Sequence, residues 1–227
     1  MTTAFNLLHK VLAGEVRPRV LVWGLLNTVN RNFGTGNRRF EFERLYLEHP
    51  DPWNYRTTEY EHEKYRRTLD LVLKWRRGAA SVLEVGCSIG VFSRMLAAHF
   101  TRVVGVDFSC EALEAAIAYN KDTKNIRFVA ADMRAADIGM PFDVIVCAEV
   151  LYYIAARDAE KVRRNLDRHL AADGIIAYAT GLPPRELRSP TADAWIGRLS
   201  RFLDIVHDEI VEDASRPYQL IIFARRR

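Results

Sequence analysis

The sequence predicts an α/β protein with a doubly wound, mainly parallel sheet. Short runs rich in β-branched or aromatic residues recur after residue 80, and most are continuous apolar stretches, as in strands buried on both faces. They occupy residues 81–85, 102–106, 126–130, 142–147, 174–179, 202–206 and 218–224. Between them lie helical patterns, at residues 91–99, 109–120, 157–171 and 190–199. Strands that alternate with helices of this length are typical of βαβ units, whose helices cover both faces of a parallel sheet.

The composition is that of an ordinary folded protein. The chain has 227 residues, 49% of them apolar and 27% charged, and this length suits one domain. Its net charge of +4 is too small to require nucleic acid as a partner. Cys87, Cys110 and Cys147 lie outside any CxxC spacing, so neither a disulfide framework nor a zinc site is indicated. The longest apolar run near the N-terminus, residues 20–26, is too short for a membrane span, and we expect a cytoplasmic protein.

Residues 1 to about 45 differ from the rest of the chain, because arginines alternate there with short apolar clusters. The segment either forms one or two helices that pack on the main domain or on a second subunit, or presents a basic, loosely amphipathic surface to a membrane or polyanion. We favour the first interpretation and expect no membrane contact. We therefore divide the chain into a helical extension and lid, residues 1–58, and a main domain, residues 59–227, which opens with a helix at 59–75. We expect a monomer or a homodimer.

A glycine-framed loop follows the first strand. Residues 86–90, Gly-Cys-Ser-Ile-Gly, connect that strand to the next helix. Gly86 and Gly90 let a ligand approach the backbone closely, and the free N–H groups at the helix start can hold an anionic group such as a carboxylate. A dinucleotide fingerprint would have glycines where this chain has Ser88 and Val91. Pyrophosphate binding is therefore disfavoured.

Acidic residues accompany each of the first three strands. Asp107 ends the second strand, where doubly wound folds place a carboxylate that accepts hydrogen bonds from both ribose hydroxyls. Asp132 follows the third strand and can accept from the exocyclic amine of a purine, with Met133 against the ring face. Glu84 lies inside an apolar strand, where a carboxylate is uncommon unless it is paired or hydrogen-bonded. Structural alternatives are that Glu84 and Asp107 accept from nearby backbone amides, and that Asp132 and Met133 are a turn residue and a core residue.

Taken in order, these segments resemble the motifs of the class I S-adenosylmethionine-dependent methyltransferases. They are residues 84–90, 106–107, 131–133 and 142–152. The stretches at 51–53 and 60–65 and the Gly-Cys-Ser loop are in addition similar to the nodulation protein S family, N-methyltransferases that act on the free amine of a deacetylated chitooligosaccharide. The resemblance implies a seven-stranded sheet with an antiparallel last strand, and S-adenosylmethionine as the cofactor.

The resemblance also implies roles for individual residues. Glu84, Gly86 and Ser88 would lie near the aminopropyl end of the cofactor. Asp107 would bind the ribose and Phe108 would pack on the adenine, while the helix at 59–75 folds over the cofactor. The full set of expected cofactor contacts is Tyr60, Lys64, Glu84, Gly86, Cys87, Ser88, Gly90, Asp107, Phe108, Asp132, Met133 and Ala148.

Glu149 and Tyr152 follow the fourth strand, and we expect them to act on the methyl acceptor. A sulfonium methyl is already activated, so the protein mainly has to align a neutral nucleophile and exclude water. An amine needs only a nearby carboxylate or phenol to hold it as it loses its proton. The expected acceptor is the amine of an amino sugar, or of a related glycan or small molecule. Expected substrate contacts, some of which could instead be packing residues, are Trp53, Tyr55, Tyr153 and Trp195.

Several alternatives stay open at the level of sequence. A sugar or phenolic hydroxyl as acceptor would need a stronger base, for which His49, His62 and His207 are candidates. A catalytically silent cofactor-binding partner protein would carry the same motifs. A nucleic-acid methyltransferase would place an Asn/Asp-Pro-Pro-Tyr/Phe tetrapeptide where this chain reads Ala-Glu-Val-Leu after the fourth strand. Residues 147–151 offer no cluster of carboxylate and amide oxygens, so we expect no metal requirement.

Overall fold

The structure is a computed structural model that describes residues 39–182, 190–213 and 216–226. Its α-helices are α1 (Arg39–Glu48), α2 (Glu59–Trp75), α3 (Val91–Ala97), α4 (Cys110–Tyr119), α5 (Ala159–His169) and α6 (Pro190–Leu199). Its strands are β1 (Ser81–Val85), β2 (Arg102–Asp107), β3 (Ile126–Ala130), β4 (Phe142–Ala148), β5 (Leu170–Gly181), β6 (Leu203–Val211) and β7 (Tyr218–Arg225). Two 3₁₀ turns, Leu151–Tyr153 and Ala156–Asp158, follow β4.

A seven-stranded sheet with the order β3-β2-β1-β4-β5-β7-β6 forms the centre of the molecule. β7 is antiparallel to both of its neighbours, and the remaining pairs are parallel. The predicted fold class is thereby confirmed, including the antiparallel last strand. The strand order reverses between β1 and β4. In doubly wound sheets, ligands bind at such a switch point, beyond the carboxyl ends of the strands.

Apolar layers cover both faces of the sheet. On one face, α2, α3 and α4 pack through residues that include Leu69, Phe92 and Ala112. On the other face, α5 and α6 pack through residues that include Leu166 and Trp195. Every residue of β1 is buried, because the strand lies in the middle of a sheet that is covered on both sides. This burial explains why its sequence is a continuous apolar run rather than an alternating one.

Two predicted helix ends were wrong. The helix predicted at 157–171 ends at His169, because Leu170 already pairs with Phe142 at the start of β5. An Asp-Gly pair follows in this strand, and these residues are depleted in strands, so the early start was not visible in the sequence. The helix predicted at 91–99 ends at Ala97.

α1 is an element that the sequence did not separate from the N-terminal extension. It covers Arg39–Glu48, and its contacts are described below. The expectations for residues 1–38 lie outside the described residues. Among the residues that are described, no helix is both long and apolar enough to cross a membrane.

Candidate active site

A cavity of about 370 Å³ lies where the strand order reverses, at the carboxyl ends of β1, β2 and β4. We distinguish two groups among the residues that line it. The loop group comes from the strand ends and the turns that follow them: Gly86, Ser88, Asp107, Phe108, Asp132 and Met133. The aromatic group combines side chains of α1, of the segment before α2 and of the turn after β4: Phe42, Trp53, Tyr55, Glu149, Tyr152 and Tyr153.

The loop after β1 turns tightly over the edge of the sheet. Gly86 and Gly90 both have φ +73° and Ser88 has φ +50°, a region that glycine enters easily and other residues rarely. The N–H of Gly86 donates to the carbonyl of Val106 at 2.8 Å. A Cβ at Gly86 would lie 2.5 Å from Cγ2 of Val150, so only glycine allows this loop to pack against the segment after β4.

Asp107 is held by backbone donors on both sides. Its Oδ2 accepts from the N–H of Ser88 at 2.9 Å, and its Oδ1 accepts from the N–H of Ser109 at 2.9 Å. Burial raises the pKa of this carboxyl to about 6, although these two N–H groups act in the opposite direction. A carboxylate has about four acceptor positions, so Asp107 can still accept from a ligand in the cavity.

Glu84 is a buried acid beneath the loop. It is 5% exposed, and the hydroxyl of Ser93 donates to it. Burial raises its pKa to about 8. Its side chain does not line the cavity, because it lies in the middle of a strand that is covered on both faces. The sequence predicted this burial, and the ligand contact stays a prediction.

Asp132 lies at the cavity with its carboxylate already paired. The guanidinium of Arg134 donates to both of its oxygens, with Nε 2.8 Å from Oδ2. The same guanidinium reaches Oδ2 of Asp158 at 3.3 Å. These contacts lower the pKa of Asp132. Met133 is buried beside it.

α1 is fastened over the cavity by a buried glutamate that the sequence analysis missed. Glu43 is 0% exposed. Its carboxylate accepts from the hydroxyl of Ser109 at 2.8 Å and from the N–H groups of Cys110 and Glu111 at 3.0 and 3.2 Å. It therefore caps the N-terminus of α4, where the helix dipole favours a negative charge. A second contact is the hydroxyl of Tyr46, which donates to Oγ of Ser88 at 2.6 Å.

Aromatic rings fill the space between α1 and the turn after β4. The ring of Phe42 meets the rings of Phe108 and Tyr153 edge-on, with centroids 5.5 and 5.1 Å apart. Trp53 packs between the rings of Tyr46 and Tyr55, at 5.7 and 5.6 Å. Phe42 and Tyr46 are four residues apart and so lie on one face of α1. That spacing was the available signal for this helix.

Glu149 directly follows β4 in a left-handed backbone conformation, with φ +53°. Its N–H donates to the carbonyl of Ala179 at 2.9 Å. Its carboxylate accepts from Nζ of Lys64 at 3.0 Å through Oε1, and from the N–H of Gly181 at 3.1 Å through Oε2. Burial, and then the charge of Glu149, raise the pKa of Tyr152 well above its ordinary value.

The cavity brings together most of the residues that the sequence selected. Both expected catalytic residues line it, as do three of the four expected substrate contacts. The expected cofactor residues at the cavity are Gly86, Ser88, Asp107, Phe108, Asp132, Met133 and Ala148. Those that do not line it are Tyr60, Lys64, Glu84, Cys87 and Gly90.

The other expected site residues that do not line the cavity make contacts elsewhere in the structure. Trp195 is 1% exposed in the apolar layer beneath α6, so it does not form the expected stacking surface. The hydroxyl of Tyr60 donates to the carbonyl of Arg216 at 2.6 Å. Cys87 is buried against Gly105 of β2, and Gly90 packs on the side chain of Asn120. Lys64 contacts Glu149, although it does not line the cavity.

A family model described as "Nodulation protein S (NodS)" matches residues 37–185. The match covers more than half of the chain, and it includes both groups of cavity residues. The chain belongs to the nodulation protein S family.

Individual relatives agree with this membership. Nodulation protein S of Bradyrhizobium diazoefficiens is 36% identical over 134 residues, which are 57% of this chain and 62% of that protein. A dTDP-4-amino-2,3,4,6-tetradeoxy-D-glucose N,N-dimethyltransferase of Saccharopolyspora spinosa is 33% identical over 99 residues, 43% of this chain and 39% of that protein. The matches to nodulation protein S proteins span only 55–64% of those relatives' lengths.

A solved structure of the family has the same fold. It is the N-methyltransferase NodS from Bradyrhizobium japonicum WM9 in complex with S-adenosylhomocysteine. The TM-score is 0.74 at 25% identity, and the superposition covers 84% of this chain and all of that one. The family match begins just before α1 and ends after β5. α6, β6 and β7 lie outside it, as does the displaced Trp195.

Proposed function

We propose that this protein is an S-adenosylmethionine-dependent methyltransferase whose acceptor is an amine of an amino sugar or of a related small molecule. The proposal is carried by one observation, made in a member of the nodulation protein S family. The loop group and the aromatic group, which includes the carboxylate of Glu149, line the same cavity. The named activities of two relatives, an N-methyltransferase and an amino-sugar N,N-dimethyltransferase, support an amine acceptor.

The residues of the loop group fit S-adenosylmethionine. Asp107 retains acceptor positions for the ribose hydroxyls. Gly86 lines the cavity without a side chain, so a ligand can approach its backbone closely. Phe108 and Met133 offer apolar surfaces to an adenine ring. Buried Glu84, which accepts a hydrogen bond from the hydroxyl of Ser93, suits the ammonium of the aminopropyl part of the cofactor. When bound, the cofactor supplies a methyl group that its sulfonium has already activated.

The protein's own residues then have to bind and orient the acceptor and to exclude water. α1 and the aromatic side chains cover the cavity, which keeps water from the reacting atoms. Glu149 can accept a hydrogen bond from the acceptor's N–H and direct the lone pair of the nitrogen toward the methyl group. Because the pKa of Tyr152 is raised, its phenol stays protonated and serves as a hydrogen-bond donor. Alignment of this kind accounts for a large part of the rate of a bimolecular transfer.

A hydroxyl acceptor is less well supported, because the three candidate histidines do not line the cavity. His49 is exposed. Nε2 of His62 lies 2.9 Å from the carbonyl of Tyr55, and His207 lies on β6 beside Glu209. The expected metal independence stays a prediction, as does the oligomeric state.

The direct test is calorimetric titration with S-adenosylhomocysteine, followed by a product-release assay on amino sugars, neutral sugars, phenols and short oligonucleotides. Binding with turnover on an amine is the expected result. Binding with turnover only on a hydroxyl would mean that the acceptor is a hydroxyl compound rather than an amine. Binding without turnover on the whole panel would favour a catalytically silent partner protein, and absence of binding would overturn the cofactor assignment.

A further inference from the structure

Lys64 is a buried cation that the proposed reaction does not yet use. It lies on α2 and is 2% exposed. The family resemblance assigned it to the cofactor, yet it does not line the cavity. An ammonium loses its hydration when it is buried, and it is retained in such a place only where it is paired.

Two carboxylates provide that pairing. Nζ of Lys64 lies 2.9 Å from Oε2 of Glu61, on the same helix, and 3.0 Å from Oε1 of Glu149, after β4. The side chains are 3%, 7% and 17% exposed for Lys64, Glu61 and Glu149, respectively. The cation therefore connects α2 to the cavity residue that follows β4.

Two aromatic rings also lie close to the ammonium. Nζ lies 5.1 Å from the ring centroid of Tyr60 and 6.0 Å from that of Tyr218, distances at which the ring faces attract a cation. Arg216 packs over the ring of Tyr60 at 4.0 Å and lies 3.7 Å from Oε1 of Glu61. The position of Lys64 is thus fixed by α2 and by the start of β7.

The contacts of Glu149 leave it little freedom. Oε1 accepts from Lys64, Oε2 accepts from the N–H of Gly181, and the backbone is constrained at φ +53°. The carboxylate still lines the cavity, and its remaining lone pairs are available to an acceptor. Removing Lys64 would remove the fixed partner of Oε1 and leave two carboxylates without their shared cation.

We propose that Lys64 is a positioning residue that fixes the carboxylate of Glu149 for the methyl acceptor, rather than a ligand of the cofactor. The inference rests on the proposed methyl transfer, and it names a second residue that this transfer requires. It predicts that the loss of Lys64 affects turnover and the KM of the acceptor, while the affinity for cofactor is preserved.

The test compares Lys64→Met with Lys64→Arg and with Lys74→Met, an exposed lysine on the same helix. Lys64→Met is expected to lower kcat about 10- to 100-fold, the size of effect that a misplacement of about 1 Å produces. The Kd for S-adenosylhomocysteine should change by less than about threefold. Lys64→Arg should recover part of kcat, because it keeps the charge but not the compact shape of the ammonium. Lys74→Met should leave kcat and Kd unchanged.

A double-mutant cycle separates positioning from a general structural effect. In a Glu149→Gln background, Lys64→Met should change kcat by less than about threefold, because the carboxylate to be positioned is already gone. The same loss in both backgrounds would overturn the proposal, as would a large rise in the Kd for S-adenosylhomocysteine with kcat unchanged. If Lys64→Met gives no cooperative melting transition, Lys64→Arg carries the test, and a large rise in the Kd for S-adenosylhomocysteine with wild-type kcat in that variant would overturn the proposal.

The two proposals fail in different ways. Wild-type protein that binds S-adenosylhomocysteine but turns over no amine would overturn the proposed function together with this role of Lys64. Amine turnover by the wild type, with an unchanged kcat in Lys64→Met, would overturn the role of Lys64 alone.

Discussion

The loop group and the aromatic group line the same cavity but are held in different ways. In the loop group, Asp107 accepts from backbone N–H groups two and 19 residues away. In the aromatic group, Glu149 depends on Lys64, a side chain 85 residues away. The loop group is therefore built from strand ends and the adjoining turns, whereas the aromatic group is complete only when α1 and the segment before α2 pack against the turn after β4. The loop group is consequently easier to recognise from the sequence than the aromatic group.

The largest effect is expected from the aromatic group. Glu149→Gln keeps the shape of the side chain but removes the charge that Lys64 contacts and that an amine would meet. We expect kcat to fall about 100- to 1,000-fold, with the Kd for S-adenosylhomocysteine within about threefold of wild type. Steady-state kinetics and calorimetry on the same preparation measure the two quantities. A loss of cofactor affinity as large as the loss of turnover would place Glu149 in the cofactor site instead.

The next largest effect is expected from the loop group, in the affinity for S-adenosylhomocysteine rather than in kcat. Asp107→Ala removes charge-assisted acceptors, and we expect binding of S-adenosylhomocysteine to weaken by roughly 1.5–3 kcal/mol, or about 10- to 150-fold. Asp122→Ala, an exposed aspartate after α4, is the matched control and should bind normally. Unchanged affinity in Asp107→Ala would disprove the ribose contact.

A smaller effect is expected when the contacts that hold α1 are weakened. This helix contacts residues of both groups. Glu43→Gln keeps the volume but weakens the cap on α4, which costs about 1–2 kcal/mol. Because α1 covers the cavity, this cost should appear as a five- to 30-fold faster release of S-adenosylhomocysteine, as measured by stopped-flow. Exposed Glu41 of the same helix supplies the control Glu41→Gln. Equal release rates in both variants would mean that α1 does not retain the ligand.

The last effect concerns pH and Glu84, and it is expected in stability rather than in turnover or binding. Burial raises its pKa from the ordinary 4.5 to about 8, so the folded protein binds more protons than the unfolded chain between those values. Stability therefore falls as pH rises through that window. Glu84→Gln cannot ionise, so it does not lose this stability. The Tm of Glu84→Gln minus that of the wild type should therefore grow between pH 5 and pH 8.5, by about 2–4 °C for each kcal/mol that the wild type loses.

Thermal melts with and without S-adenosylhomocysteine check this last expectation. The advantage of Glu84→Gln at high pH should shrink when the ligand is present, because an ammonium beside Glu84 would stabilise the ionised carboxylate. A difference in Tm that does not vary with pH would show that Glu84 does not titrate in this range.

Much of the fold was predictable because its signals are local. Short runs rich in β-branched or aromatic residues identified the seven strands of the sheet, and α2 was predicted with its observed ends. The loop after β1 and Asp107 were also recognisable, since a glycine-framed turn and a strand-terminal carboxylate are set by residues close in sequence. The start of β5 was missed because pairing with β4 outweighs the poor strand propensity of its Asp-Gly pair.

The sequence by itself determined the doubly wound sheet and the identity of the loop group. Only the tertiary structure decided that Glu43 caps α4, that Trp195 is a core residue, and that Lys64 contacts Glu149. The physical reason is that periodicity shows which face of an element is apolar but not which elements meet. A buried charge is stabilised by a partner distant in sequence, and packing alone brings the two together.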